Sequence, residues 1–214
     1  MTSLECTLVS DGSSDRALIP ILRWLLQTNG AYPAQEIEWY DPSRFRHRPT
    51  SLSERIDHAV ENYPCDLLFI HRDAEGERLA RRVAEVRTAL EASSSGEDGR
   101  MPAVLVIPIR MMEAWLLFDK ARLREAAGCP RGNTPLDVPT LRSCERLADP
   151  KERLHRCLRA ASEKRGRHLK KFNVDAAIHR LSDLIPDFSP LRRLSAFQRL
   201  EEELRAVLRA KHWV

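Results

Sequence analysis

Long apolar runs are missing from this chain. No stretch approaches the ~20 residues that cross a bilayer. The opening MTSLECTLVSDG carries neither a basic n-region nor a signal-like apolar core. A cytoplasmic location and no membrane partner are the expectation. Cysteine is scarce and unpatterned: Cys6, Cys65, Cys129, Cys144 and Cys157 are odd in number, widely spread and free of any CxxC pair. That excludes a disulfide scaffold and fits reduced thiols. Cys144, His155 and Cys157 match no zinc-finger spacing. No Gly-rich loop or DFG accompanies His71-Arg72-Asp73, so the kinase-like string has no kinase around it. No internal repeat or long low-complexity segment occurs.

The composition itself is that of an ordinary globule, 43% apolar and 31% charged, over 214 residues. That length suggests one full domain with an appendage. The net charge of +4 conceals an asymmetry. Residues 1–150 hold 19 Lys/Arg against 23 Asp/Glu, whereas residues 151–214 hold 16 against 8. The densest basic stretch is Lys151–Lys171, with nine basic and two acidic residues. An acidic half joined to a basic half suits a metal-dependent enzyme acting on a polyanion. A solvated helix face accounts for a basic cluster equally well.

The chain alternates strand and helix patterns. Leu4–Val9 reads as a first strand, and Asp11-Gly12-Ser13-Ser14 as a turn in which Ser13 or Ser14 caps the next helix. Asp15–Gln27 has helical periodicity, with Pro20 a point of kinking or initiation. Glu36–Tyr40 alternates like an edge strand. Ser51–Asn62 opens with a capping box, Ser51 and Glu54. Cys65–His71 and Ala103–Ile109 are nearly continuous apolar runs, the mark of strands covered on both faces. Glu77–Ala92 is a charged amphipathic helix, Ser93–Arg100 a loop, and Met112–Phe118 the opening of another helix. This order predicts a doubly wound, mostly parallel four-stranded α/β sheet over residues 1–120. Prolines at 130, 135, 139 and 150 punctuate the region after it, and a basic helical extension over 121–214 is expected to pack on that domain.

Three strands end at acids: the first at Asp11, the third at Asp73 and Glu75, the fourth just before Glu113. Ligands of parallel α/β sheets bind outside the carboxyl ends of the strands. Carboxylates gathered there repel, and a hard divalent cation is the simplest remedy. Each acid also has a plainer reading. Asp11 starts a turn, Asp15 is a favourable first-turn acid, Asp73 caps a helix, and Glu113 pairs with Arg110. His71 reads as a strand-end histidine or a base.

Taken in order, these segments resemble the Toprim domain, found in topoisomerases, bacterial primases and OLD-family nucleases. A small group of Toprim-like bacterial proteins is matched more closely. Its pattern stands here as Asp11-Gly12-Ser13-Ser14-Asp15-Arg16-Ala17-Leu18, Arg72-Asp73-Ala74-Glu75, Pro108-Ile109-Arg110-Met111-Met112-Glu113-Ala114-Trp115-Leu116-Leu117, and Pro186-Asp187-Phe188. Asp11 replaces the family's glutamate, and Glu75 replaces the second acid of its DxD pair; both keep the charge and change the reach. The resemblance implies a Toprim/Rossmann-like fold and a Mg²⁺- or Mn²⁺-dependent nuclease. Asp73 and Glu75 would hold the metal, Glu113 would lie near it, and Asp11 would share the metal or move a proton. Arg72, Arg110, Lys164, Arg165, Arg167, Lys170 and Lys171 would grip nucleic-acid phosphates. An ABC- or SMC-like ATPase partner and a role in anti-phage defence are further implications. The alternative is a non-catalytic Toprim-like subunit that binds the ATPase or nucleic acid. A phosphatase with its nucleophile at Asp73 needs a downstream Ser/Thr and Lys that find no place in the chain.

Overall fold

The computed structural model describes residues 4–31, 36–46, 48–95 and 101–214. Its centre is a four-stranded, all-parallel sheet in the order β2-β1-β3-β4. The strands are β1 (Glu5–Val9), β2 (Glu36–Trp39), β3 (Leu67–His71) and β4 (Ala103–Val106). Register is fixed by pairs such as Leu8 with Phe69 and Phe69 with Val104. β3 is buried along its whole length, which is why its sequence is a continuous apolar run. β2 lies at the edge and alternates exposed and buried residues.

Because successive side chains point to opposite faces, the strands feed two cores. Cys6, Leu8, Leu67, Phe69, Val104 and Val106 belong to one cluster. Val9, Leu68, Ile70, Leu105 and Ile107 belong to the other, against α2 (Leu52–Asn62) and α3 (Leu79–Glu91). The α2 capping box forms as its sequence predicts: Glu54 N–H donates to Ser51 Oγ, and Ser51 N–H donates to Glu54 Oε2, both at 3.1 Å. The fold is thus doubly wound, with helices on both faces.

The first cluster runs unbroken from the sheet into the C-terminal helices. These follow α1 (Ile19–Thr28) and are α4 (Lys120–Ala126), α5 (Leu141–Cys144), α6 (Pro150–Ala161), α7 (Gly166–Lys170), α8 (Val174–Leu184) and α9 (Ser195–Ala210). α9 packs beside β4, and α8 packs on a 3₁₀ helix at Ser13–Leu18. Ser182 donates its hydroxyl to the Ala17 carbonyl at that seam. Buried Glu201 ties α9 to the end of α1, accepting from Arg192 (2.7 Å), Arg205 (2.9 Å) and Asn29 (3.0 Å). The C-terminal helices and α1 thus share the core of one sheet face.

Two local expectations differ from the structure. The segment after β1 is a 3₁₀ helix before α1 begins at Ile19, with Pro20 in its first turn, where a missing N–H costs nothing. Neither Ser13 nor Ser14 caps it; the residue before it is Gly12, whose N–H is taken by Asp15. Most of the expected 93–100 loop lies outside the described residues. Cys144 and Cys157 donate their thiols to separate backbone carbonyls, of Thr140 and Asp137, and all five cysteines are free. No helix among the described residues is long and apolar enough to cross a membrane.

Candidate functional site

The carboxyl ends of β1, β3 and β4 open onto one edge of the sheet, and four ionisable side chains meet there. Asp15 comes from the 3₁₀ helix after β1. Its Oδ2 accepts from Gly12 N–H (3.0 Å) and its Oδ1 from Ser14 Oγ (3.4 Å), which holds a carboxylate in a nearly buried place. His71 is the last residue of β3 and only 2% exposed. Its Nδ1 lies 2.8 Å from the Val106 carbonyl of the neighbouring strand. A carbonyl can only accept, so Nδ1 carries a proton, and Nε2 faces the other way. There it stands 3.5 Å from Asp73 Oδ1 and 3.9 Å from Asp15 Oδ1.

Asp73 comes two residues after the end of β3, and its Oδ1 also accepts from Met112 N–H at 3.0 Å. Burial pushes its carboxyl up to about 7, with Glu113 and Asp15 adding to the rise and His71 opposing it. Glu113, on the 3₁₀ helix Met112–Leu116 beyond β4, is buried beneath. Burial raises its pKa too; Asp15 adds to this, while its own backbone N–H, Lys151 and His71 oppose it.

A cavity of about 300 Å³ opens over this cluster, and Asp11, Asp15, His71, Arg72, Asp73 and Glu75 are among its walls. The structure thus brings Asp11, Asp73 and Glu75 to one cavity, with Glu113 below. Asp11 stands apart in its bonding. Half exposed, it is clamped by Arg55 Nη1 (2.8 Å) and Arg72 Nε (3.0 Å). Glu75 is an exposed rim residue with φ +50, a left-handed conformation that costs a non-glycine about 1–2 kcal/mol. The turn is held by Ala74 N–H on the Pro108 carbonyl (3.1 Å) and Glu75 N–H on the Arg110 carbonyl (3.0 Å). Gly76 comes next at φ +94, and a Cβ there would sit 2.7 Å from Arg110 Nη1. Gly76→Ala should therefore destabilise the fold by about 1–2 kcal/mol, read in urea melts. Wild-type stability in that variant would mean the turn relaxes freely.

Sequence reasoning reads Asp15 as a first-turn acid and His71 as a strand-end residue, and does not single out Arg82. Arg82 also lines the cavity, donates to Glu85 (2.6 Å), and keeps a buried Nε with no partner among the described residues. The signal for Asp15 is its spacing from Gly12, three residues, which lets the side chain reach back to that N–H. The basic run lies elsewhere. Lys164, Arg165, Arg167, Lys170 and Lys171 are all exposed, and Lys164 Nζ stands 5.0 Å over the Phe172 ring. They begin beyond the far end of α6, one helix length of about 18 Å from Lys151 near Glu113.

The three carboxylates are hard oxygen donors that suit Mg²⁺ or Mn²⁺, whereas the imidazole nitrogen beside them is a borderline donor. Among the described residues no group of three or more Asp, Glu, His or Cys side chains is placed to hold a metal ion. Mg²⁺ commonly takes only one or two carboxylates and completes its shell with water and substrate phosphate. The donor set fits that mode. The chain matches no family model, no curated protein and no solved structure.

Proposed function

We propose that this protein is a Toprim-like, divalent-metal-dependent nuclease. The observation that carries the reading is the meeting of Asp15, His71 and Asp73, from the ends of β1 and β3, over buried Glu113. His71 Nε2 faces two carboxylates, an arrangement that calls for a proton or a cation between them. Asp73 and Asp15 would hold Mg²⁺ or Mn²⁺, with Glu75 within the same cavity and Glu113 as the charge beneath. Bound there, the metal would neutralise a phosphodiester oxygen and acidify water. Asp73 is fixed by Met112 N–H, and His71 by Val106, so both present one rotamer to the cleft. Arg72 and Arg82 on the wall supply donors to a substrate phosphate. Arg110 backs the turn that carries Glu75. The exposed Lys164–Lys171 segment offers a remoter, sequence-independent contact for long substrates.

A second reading has its own support. Asp11, at the position of the family's acid/base residue, is neutralised by two arginines. A non-catalytic subunit that binds nucleic acid or an ATPase partner has no need to free that carboxylate.

The deciding experiment incubates supercoiled plasmid, single-stranded DNA and RNA with the protein in Mg²⁺, Mn²⁺ or EDTA. Cleavage in either metal and none in EDTA is the expected result. Binding without cleavage in both metals supports the second reading.

A further inference from the structure

A second cavity, of about 480 Å³, opens beside the first, and its charge is the opposite. Arg16, the residue after Asp15, enters it from the 3₁₀ helix, Arg23 from α1, and His179 from α8. Ile19, Pro20 and Ile37 give it an apolar floor. No ion pair within 4 Å joins any of the three basic side chains to a carboxylate among the described residues; the Arg16 charge does act on Asp41, helping to lower its pKa. The one acid on its wall is Asp183, a turn after His179 on α8. Arg16 is further steered by Trp39, its guanidinium 5.8 Å from the ring centroid. The Trp39 indole is itself pinned, donating Nε1–H to Ser10 Oγ at 2.9 Å. The two cavities are joined through consecutive residues of the 3₁₀ helix, Asp15 lining the first and Arg16 the second.

Unpaired guanidiniums in a concave site are the recognition chemistry of phosphates. We infer that the Arg16–Arg23–His179 groove holds the sugar-phosphate backbone of the nucleic-acid strand as it leaves the carboxylate cleft, ahead of the basic Lys164–Lys171 segment. This deepens the nuclease reading and rests on its view of the cleft as the place where a phosphodiester sits. Adjacent residues of one short helix would then divide the work. Asp15 faces the scissile position and Arg16 the neighbouring phosphates.

The test measures binding in EDTA, where cleavage cannot intervene. Fluorescein-labelled single strands of one sequence, as DNA and as RNA, are titrated with wild type, Arg16→Gln/Arg23→Gln and Lys170→Gln/Lys171→Gln. Both arginines are exposed, so an unchanged melting temperature is expected and serves as the folding check. The arginine pair should weaken binding about 10-fold or more and lower the slope of log affinity against log salt by about 1.4, two single-strand contacts' worth. The lysine pair should cost less. Affinity within about twofold of wild type in the arginine variant overturns the inference, because two lost phosphate contacts must show in the salt slope. So does wild-type failure to bind either strand, or equal binding of fluorescein-labelled polyglutamate, which would make the groove a site for acidic protein. Wild-type protein that binds through these arginines yet cleaves nothing in Mg²⁺ or Mn²⁺ would end the nuclease reading and leave this one standing.

Discussion

Asp73→Asn should abolish metal-dependent cleavage, lowering the initial rate on the order of 10³-fold or more, as expected when a group that places several kcal/mol of transition-state stabilisation is lost. The substitution is chosen because asparagine keeps an oxygen to accept Met112 N–H, so the turn after β3 stays anchored. Only the charge goes. The same variant should be more stable than wild type in EDTA near neutral pH, because a largely buried carboxylate facing Asp15 and Glu113 is removed. Loss of activity with a gain in stability marks a functional residue; a structural one loses both. Glu75→Gln, on the exposed rim, should cost less, about 10- to 100-fold, in keeping with a supporting ligand. Plasmid nicking at fixed Mg²⁺ and melts in EDTA supply both readings. Undiminished cleavage by Asp73→Asn would remove the cluster from the chemistry.

The sheet is legible in the sequence because burial leaves a strong trace there. β3 must be apolar on both faces, and β4 nearly so, and no amphipathic surface helix shows that run between turn signals. The end of β3 then places Asp73 at the ligand edge without further information. Asp11 and Asp15 are harder to rank. Periodicity treats the residues after Gly12 as an α-helix, whereas they form a 3₁₀ turn whose tighter winding brings Asp15 back over Gly12 N–H and under the cleft. The acid nearest the strand, Asp11, turns outward to Arg55 and Arg72 instead. Those arginines come from α2 and from the strand-end loop, distant in the chain, so no local pattern announces the clamp. His71 is ambiguous for a related reason: a histidine at a strand end looks the same in sequence whether or not its far nitrogen meets carboxylates. The Arg16–Arg23–His179 groove joins three helices, and only the packing of α8 on the 3₁₀ helix assembles it.

Stability should fall with rising pH in the absence of metal, and divalent metal should cancel the fall. Asp73 has a folded pKa of about 7 against an ordinary 3.8. Its carboxyl is protonated in both states below about pH 4, where its contribution to stability is fully present. Between about pH 4 and pH 7 the unfolded chain ionises freely and the folded chain resists, so stability drains away over that window by up to about 4 kcal/mol. Glu113 is raised as well and acts in the same direction. Asp57, Glu201 and Asp187 have lowered values, and their contributions are lost only as pH falls through the acid range. Outside the cluster, burial also raises Glu203, which adds to the fall, and lowers His155, whose contribution is lost as pH falls. The difference between wild type and Asp73→Asn from about pH 5 to pH 8 therefore isolates the cluster. Metal binding requires the ionised carboxylates and stabilises the folded state by mass action, so the Mg²⁺- or Mn²⁺-induced rise in melting temperature should be small at the acid end and largest at the alkaline end. Melts across that range, with EDTA and with each metal, test this for wild type and Asp73→Asn. The variant should lose most of the slope and most of the metal effect together. A metal effect that is absent at every pH would favour the binding subunit over the nuclease.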